Sequence, residues 1–129
     1  MTKDAYVQMI QYCLSQGSFE ACGFISGSHQ IAKRCRTIRN IERSPVSFTM
    51  DMRDIEEAFR QMEEDHEELY AMFHSHPTAP PIPSAFDIEH VVYPCSYLVV
   101  SLMGSRPRIR SYRIAGGTVR QERICLVTS

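Results

Sequence analysis

Two histidines, a serine and an aspartate lie close together in the stretch FHSHPTAPPIPSAFD, residues 73–87. His74 and His76 are two positions apart at the end of an apolar run. In an extended chain such residues point to the same side, so a strand end here would direct both imidazoles to one point. Imidazole nitrogen is a common zinc ligand. The pair alone is a weak pattern, and its neighbours decide its interpretation.

Ser84 and Asp87 follow the proline-rich segment of this stretch. Ser84 precedes a short predicted helix, and the i+3 spacing places both side chains on one face of the helix start. Ser-x-x-Asp resembles a capping box with Asp in place of Glu, which explains both residues without a metal. Alternatively, the proline-rich loop 77–83 folds the helix back onto the strand end, and Asp87 becomes a third metal ligand.

Two imidazoles and one carboxylate would leave a tetrahedral zinc one ligand short. Catalytic zinc keeps an open position for water, whereas structural zinc usually has four protein ligands. Activated water is a nucleophile, and a nearby carboxylate can take its proton. His90, three residues after Asp87, is an alternative fourth ligand that would close the site. A histidine partly exposed on the helix is the simpler prediction for it.

Other enzyme classes that use His-x-His fit the sequence poorly. Metallo-β-lactamases require Asp-His soon after the second histidine, where this chain has Pro77, Thr78 and Ala79. Amidohydrolase barrels need about 250 residues. Zinc deaminases require His-x-Glu followed by a Cys-x-x-Cys pair, and the sequence has no Cys-x-x-Cys pair.

The composition is that of an ordinary globular protein. The 129 residues suit one domain, and 43% hydrophobic and 22% charged residues are near the globular average. A net charge of -1 predicts no nucleic-acid partner, and no apolar run approaches the roughly 20 residues of a membrane span. The N-terminus lacks a signal-peptide pattern, and five cysteines without a Cys-x-x-Cys pair fit a reducing cytoplasm.

The predicted elements, a sheet with two or three helices, make the fold α/β or α+β. Helices are predicted over Lys3–Gln16, after Asp51, and over Ser84 to Val91. Strands are predicted in the following segments: 21–27, 31–38, 69–74, 96–102, 108–114 and 118–127. In the second helix the predicted buried stripe is Met52, Ile55, Phe59 and Met62. The acidic cluster 63–68 and the basic residues of the second strand are predicted to be solvated.

The pattern as a whole resembles the JAMM motif of the MPN-domain metalloproteases. In that family His-x-His is followed by seven residues and then Ser-x-x-Asp, and residues 77–83 fill those seven positions. The family also has a glutamate on the first strand after the first helix. Glu20, in SFEACGFISG, resembles that residue, and Glu-x-Cys-Gly resembles the form of small bacterial members. The order of predicted elements matches as well.

The resemblance implies a fold and a site. The fold is a single MPN/JAMM domain over residues 1–129, with a mixed, curved β-sheet flanked by helices, of the cytidine-deaminase-like kind. His74, His76 and Asp87 would bind Zn²⁺, with water as fourth ligand. Glu20 would deprotonate that water and pass the proton to the departing amine. Ser84 would support the oxyanion. Without the resemblance, Glu20 is a solvated residue at a strand start.

Family chemistry is hydrolysis of an amide or isopeptide bond after the Gly-Gly tail of ubiquitin or a ubiquitin-like protein. Eukaryotic members carry insertions around the motif, for which this chain has no obvious room. The resemblance therefore implies a prokaryotic type that acts on ubiquitin-like sulfur-carrier proteins. One alternative is a non-catalytic MPN scaffold, which has no need for His74, His76, Asp87 and Glu20 together. The other is a zinc peptidase that acts on ordinary peptides. Cys22, near Glu20, is predicted to be a buried strand cysteine.

Overall fold

The computed structural model describes residues 1–128, in which three helices flank one six-stranded sheet. The elements are α1 (Lys3–Ser15), β1 (Cys22–Ser28), β2 (Ile31–Ile38), α2 (Met52–Glu64), β3 (Glu68–His76), α3 (Ala85–Glu89), β4 (Ser96–Ser101), β5 (Arg108–Ala115) and β6 (Thr118–Glu122). The strand order is β2-β1-β3-β4-β5-β6. No helix of residues 1–128 is long and apolar enough to cross a membrane.

The sheet is mixed because β3 and β4 run parallel while the other neighbouring strands are antiparallel. Parallel neighbours need a crossover connection, and the segment that contains α3 provides it. The sheet is curved and unclosed, with helices against it. This confirms the predicted α+β architecture.

The two faces of the sheet carry separate hydrophobic clusters. Met9 and Cys13 of α1 pack with Phe73 on one face. Ala58 and Met62 of α2 pack on the other face, in the cluster that contains the following strand residues: Cys22, Phe24, Met72 and Val99. Alternation along β3 therefore places Met72 on the α2 face and Phe73 on the α1 face.

The helix starts were predicted correctly, whereas the buried faces were predicted only in part. Asp51 caps α2, and its side chain accepts a hydrogen bond from Asp54 N at 3.1 Å. Met52, however, is 67% exposed, and Ala58 is buried together with Met62. Of the predicted stripe, Ile55 and Met62 face the core, whereas Met52 and Phe59 are exposed. Ala58 lies between Ile55 and Met62 on the buried side of the helix.

Three elements end two or more residues away from the predicted position. β3 continues to His76 because its last residues pair with β4, up to the register match of His76 with Ser101. α3 ends at Glu89, earlier than predicted. β6 pairs with β5 only as far as Glu122.

The predictions that the acidic cluster 63–68 and the basic residues of β2 are solvated are wrong for Glu67 and Arg36, both of which are buried. The Glu67 side chain is 1% exposed and lies 2.9 Å from Arg36 Nη2 and 3.1 Å from Arg34 Nη2. Ser26 Oγ donates to the same carboxylate at 2.7 Å. Burial alone would raise the pKa of Glu67, but these hydrogen bonds outweigh it and lower the pKa to about 2. A buried charge is tolerated here because three donors satisfy it.

Glu67 is expected to make stability depend on acid pH. Its pKa is lower in the folded than in the unfolded chain, so its stabilising effect is complete above about pH 5 and is lost as the pH falls toward 2. The difference in unfolding free energy between wild type and Glu67→Gln should narrow by about 2 kcal/mol from pH 6 to pH 3. Urea unfolding at each pH measures it. Glu68→Gln, at an exposed neighbour, is the matched control. A constant difference would contradict the assignment.

Candidate metal centre

The two histidines of β3 share the face of the sheet that carries α2. Met72 belongs to the cluster on that face, and residues two apart along a strand point to the same side, so His74 and His76 follow it. Both histidines are buried. The predicted placement of two imidazoles side by side at a strand end is therefore confirmed.

The register between β1 and β3 brings Glu20 to this site. Pairing continues beyond β1, since Ser75 N donates to Ala21 O at 3.0 Å and Ala21 N donates to Ser75 Oγ at 2.8 Å. The next residue, Glu20, therefore lies opposite His76 on the same face. Glu20 is 3% exposed, which corrects the expectation of a solvated residue that the sequence carries without the family resemblance.

Hydrogen bonds from the sheet hold the proline-rich loop 77–83 in place. Ser101 Oγ donates to Ala79 O at 2.6 Å, and the Tyr112 hydroxyl donates to Pro81 O. Proline restricts the backbone but leaves its own carbonyl free to accept such bonds. The loop turns the chain back so that α3 begins beside the end of β3.

The capping box at the start of α3 is present, and its aspartate also faces the histidines. Ser84 Oγ accepts from Asp87 N at 3.1 Å, and Ser84 N donates to Asp87 Oδ2 at 2.8 Å. The same Oδ2 atom lies 3.0 Å from both His74 Nε2 and His76 Nε2. The two interpretations of the Ser-x-x-Asp pattern are therefore compatible.

The three potential ligand atoms form a nearly equilateral triangle. His74 Nε2 and His76 Nε2 are 3.1 Å apart, and each is 3.0 Å from Asp87 Oδ2. Ligands about 2.0 Å from a tetrahedral zinc are separated by about 3.3 Å, so the triangle is close to one face of such a site. His74, His76 and Asp87 form the group suited to a metal ion within residues 1–128.

The hydrogen bond at the other nitrogen of His76 sets its tautomer. Nδ1 lies 2.9 Å from Pro80 O, which can only accept, so Nδ1 carries a proton. The neutral ring then directs the lone pair of Nε2 toward His74 and Asp87. Lone pairs and a carboxylate crowded at 3 Å repel one another unless a proton or a cation lies between them. The chemistry and spacing of these donors fit Zn²⁺.

The pKa shifts at the site follow from the same contacts. Burial alone would raise the pKa of Asp87, but hydrogen bonds from His74 and His76 lower it well below its usual range. Burial would lower the pKa of His76, and its contacts with Asp87 and Pro80 raise it instead.

Glu20 has the environment of an acid–base group. Burial, with a smaller effect from Asp87, raises its pKa to about 8, while the positive field of His76 opposes the shift. Within residues 1–128 its buried Oε1 atom has no hydrogen-bond partner. A cation or an ordered water beside Glu20 would satisfy that atom, and a cation would also favour the carboxylate form.

Phe48 is a site residue that the sequence analysis missed. Its ring stacks on the imidazole of His74 with a centroid distance of 5.1 Å and an interplanar angle of 25°. It also meets Phe86 of α3 edge-on, 6.5 Å between centroids. Phe48 lies outside the predicted helices and strands, and no local periodicity connects it with His74.

His90 and Cys22 lie outside the ligand group. His90 is exposed, its Nδ1 donates to Phe86 O at 2.7 Å, and its ring stacks on Phe86. This agrees with the prediction of an exposed helix-end histidine rather than a closing ligand. Cys22 is buried as predicted, and burial raises the pKa of its thiol to about 12.

Comparison with known proteins gives the family. The model of Prok-JAB, described as prokaryotic homologs of the JAB domain, matches residues 2–115. The chain belongs to this family. The predicted membership in the JAMM/MPN group is thereby confirmed. The family assignment rests on residues 2–115 and not on the motif alone.

Individual relatives agree with this assignment. A desampylase of Pyrococcus furiosus is 37% identical over 100 residues, covering 77% of this chain and 71% of the relative. A CysO-cysteine peptidase of Mycobacterium tuberculosis is 33% identical over 112 residues, covering 84% and 77%. A Desulfitobacterium hafniense protein known from its solution structure superposes with a TM-score of 0.89 at 30% identity, covering 99% of this chain and 92% of that one.

A second solved structure supports the fold of this Prok-JAB chain. A Salinibacter ruber protein gives a TM-score of 0.66 at 21% identity, covering 98% of this chain and 90% of that one. At this identity the similarity concerns the fold alone.

Proposed function

We propose that this Prok-JAB chain is a zinc-dependent peptidase that hydrolyses the amide or isopeptide bond after the C-terminal Gly-Gly tail of a ubiquitin-like or sulfur-carrier protein. The observation that carries the proposal is the buried triangle of His74, His76 and Asp87 with the unpartnered carboxyl of Glu20 beside it. The names of two relatives, desampylase and CysO-cysteine peptidase, support the substrate class.

His74, His76 and Asp87 would hold the ion. Bound there, Zn²⁺ supplies Lewis-acid activation of water and of the scissile carbonyl. His76 is oriented for this task by its hydrogen bond to Pro80, and Asp87 by the main chain of Ser84. Such outer contacts fix the direction in which a ligand atom points.

Glu20 is proposed as the general base and then the general acid. Its carboxylate takes a proton from the attacking water and later donates that proton to the departing amine, so the proton balance closes within one turnover. Burial raises the pKa of Glu20, and a cation bound beside it would oppose that rise, so the carboxyl could both take and return a proton near pH 7. Its burial keeps bulk water from exchanging that proton during the reaction.

Ser84 is proposed to stabilise the oxyanion. Its oxygen already accepts a hydrogen bond from Asp87 N, and within residues 1–128 its hydroxyl proton has no protein acceptor. That proton is available to an oxygen of the attacked carbonyl. Loss of one such donor typically lowers the rate by about a hundredfold or more.

The alternatives make different use of the same residues. In a scaffold domain the buried Glu20 carboxyl would lower stability, because its Oε1 atom has no hydrogen-bond partner. A scaffold would gain nothing from placing it beside three converging ligands. A general peptidase would use the same metal ligands and the same Glu20, so only its substrates distinguish it from a carrier-specific enzyme.

Cleavage of defined substrates tests the proposal. The zinc-loaded protein is mixed with a ubiquitin-like sulfur carrier extended after Gly-Gly by a single cysteine, hereafter the extended carrier. In parallel it is mixed with a free peptide of the same last residues. Intact mass spectrometry is expected to show the carrier ending in Gly-Gly, with the free peptide cleaved far more slowly. An intact extended carrier, or equal cleavage of both substrates, would overturn the carrier-specific assignment.

A further inference from the structure

The Asn40 side chain uses its full hydrogen-bonding capacity. Its Nδ2 donates to Glu20 O at 2.9 Å and to Ser47 O at 3.4 Å. Its Oδ1 accepts from Glu42 N and Thr49 N, both at 3.0 Å. All four partners are main-chain groups. Asn40 is the one asparagine of the sequence, and no motif in the sequence analysis includes it.

These bonds organise the segment 40–50, which we name the strap. Its ends meet in an isolated antiparallel bridge between Asn40 and Met50, and Ile41 N donates to Thr49 O at 2.9 Å. Between these ends the strap reaches the start of β1, where Glu20 N donates to Ser44 O at 2.9 Å. Both the N–H and the carbonyl of Glu20 are therefore held by the strap.

The strap also contacts a proposed metal ligand. Phe48 stacks on the ring of His74. Within residues 1–128 the buried Nδ1 atom of His74 has no hydrogen-bond partner, unlike Nδ1 of His76. Packing against Phe48 therefore orients this ring where a hydrogen bond does not. One segment touches both the proposed base and a ligand.

We propose that Asn40 is a positioning residue that sets the place of Glu20 through its main chain and holds Phe48 against His74. The inference rests on the proposed function. The physical reason lies in Glu20 itself, whose Oε1 has no partner to hold it, so the position of the carboxyl depends on the backbone that carries it. A misplacement of about 1 Å at a reacting group can lower a rate by about a hundredfold.

Two substitutions separate positioning from simple stabilisation. Asn40→Ala removes all four bonds. Asn40→Asp keeps the oxygen that accepts from the Glu42 and Thr49 amides but replaces the amide group that donates to Glu20 O, and more weakly to Ser47 O, with a second acceptor. If Asn40 only shaped the strap, Asp would preserve most of the activity. If it positions Glu20, both variants lower kcat for the extended carrier at least tenfold, with KM within twofold and zinc content unchanged.

Tyr70→Phe is the matched control, because it also removes one side-chain contact to a main-chain amide, that of Gln30 in the β1–β2 turn. It should leave kcat unchanged at a similar thermal stability. If Asn40→Ala fails to fold, the kcat of Asn40→Asp alone decides between positioning of Glu20 and simple stabilisation of the strap. A folded Asn40→Asp variant with wild-type kcat would overturn the proposal.

Hydrogen exchange provides a readout that does not depend on turnover. Asn40→Asp removes the bond from the strap to Glu20 O, and the Glu20 amide, which donates to Ser44 O of the strap, should then exchange at least tenfold faster than in wild type. The Glu42 and Thr49 amides should remain slow. Unchanged exchange at Glu20 would overturn the positioning role even if the wild-type protein cleaved no carrier. Absence of cleavage by wild type together with faster exchange at Glu20 would instead refute the proposed function and leave the positioning role supported.

Discussion

Glu20→Gln is expected to abolish turnover of the extended carrier while the protein keeps its zinc. Glutamine has nearly the same shape but cannot take a proton from water or return it to the leaving amine. General acid–base catalysis typically contributes 10²–10⁴-fold, so kcat should fall by about that factor. Glu20 is not one of the three converging ligands, and zinc stoichiometry should remain the same. Single-turnover assays and metal analysis of the same sample measure both quantities.

The substitution also separates electrostatic from structural effects. Burial raises the pKa of Glu20 to about 8, so an uncharged group already suits this environment in the absence of a cation. The Gln variant should therefore be at least as stable as the metal-free wild type. Glu42→Gln, in the exposed part of the strap, serves as the control for loss of one negative charge near the site. Wild-type turnover by Glu20→Gln would remove Glu20 from its proposed role.

Removal of the metal is expected to lower the melting temperature markedly. Binding to the folded state alone stabilises it by RT ln(1 + [L]/Kd), about 4 kcal/mol when free zinc is a thousandfold above Kd. For a chain of this size that corresponds to about 10 °C or more. Chelation of the zinc-loaded protein should produce this shift, and added Zn²⁺ should reverse it. Differential scanning calorimetry measures both.

Two variants near α3 test whether the stabilisation by zinc arises at the proposed metal centre. Asp87→Asn replaces the carboxylate with a weaker neutral ligand while keeping an oxygen for the cap, so it should melt like the chelated wild type and respond little to zinc. His90→Ala is the matched control, since His90 is three residues away, exposed and directed to Phe86 O. It should keep both zinc and activity. Purified protein without zinc, with a melting temperature that chelation does not change, would refute the metal centre and the enzyme.

The capping box explains how one aspartate can serve two purposes. Asp87 Oδ2 accepts from Ser84 N and also faces both histidines. Cap formation holds the carboxylate at the helix start before any ion binds. The three ligands are thus preorganised, which lowers the conformational entropy lost on binding.

Local spacing was enough to predict one part of this site. The i, i+2 histidines, the seven-residue loop and the i, i+3 Ser-Asp pair are short-range relations, and strand alternation and helix capping translate them directly into positions in space. The same holds for the caps of α2 and α3 and for the apolar runs of β1 and β4. The physics of these features acts within a few residues, so a single sequence displays it.

Tertiary structure decided the other part. Glu20 reaches the histidines only through the register of β1 against β3, and Phe48 and Asn40 do so only through the fold of the strap. Glu67 looks like one more acid at a helix end, yet it is buried because Arg36 on β2 lies opposite it. Such relations join residues that lie between 20 positions apart, for Asn40 and Glu20, and 56 positions apart, for Glu20 and His76. Strand register and packing determine them, and no local pattern of polar and apolar residues encodes either one on its own.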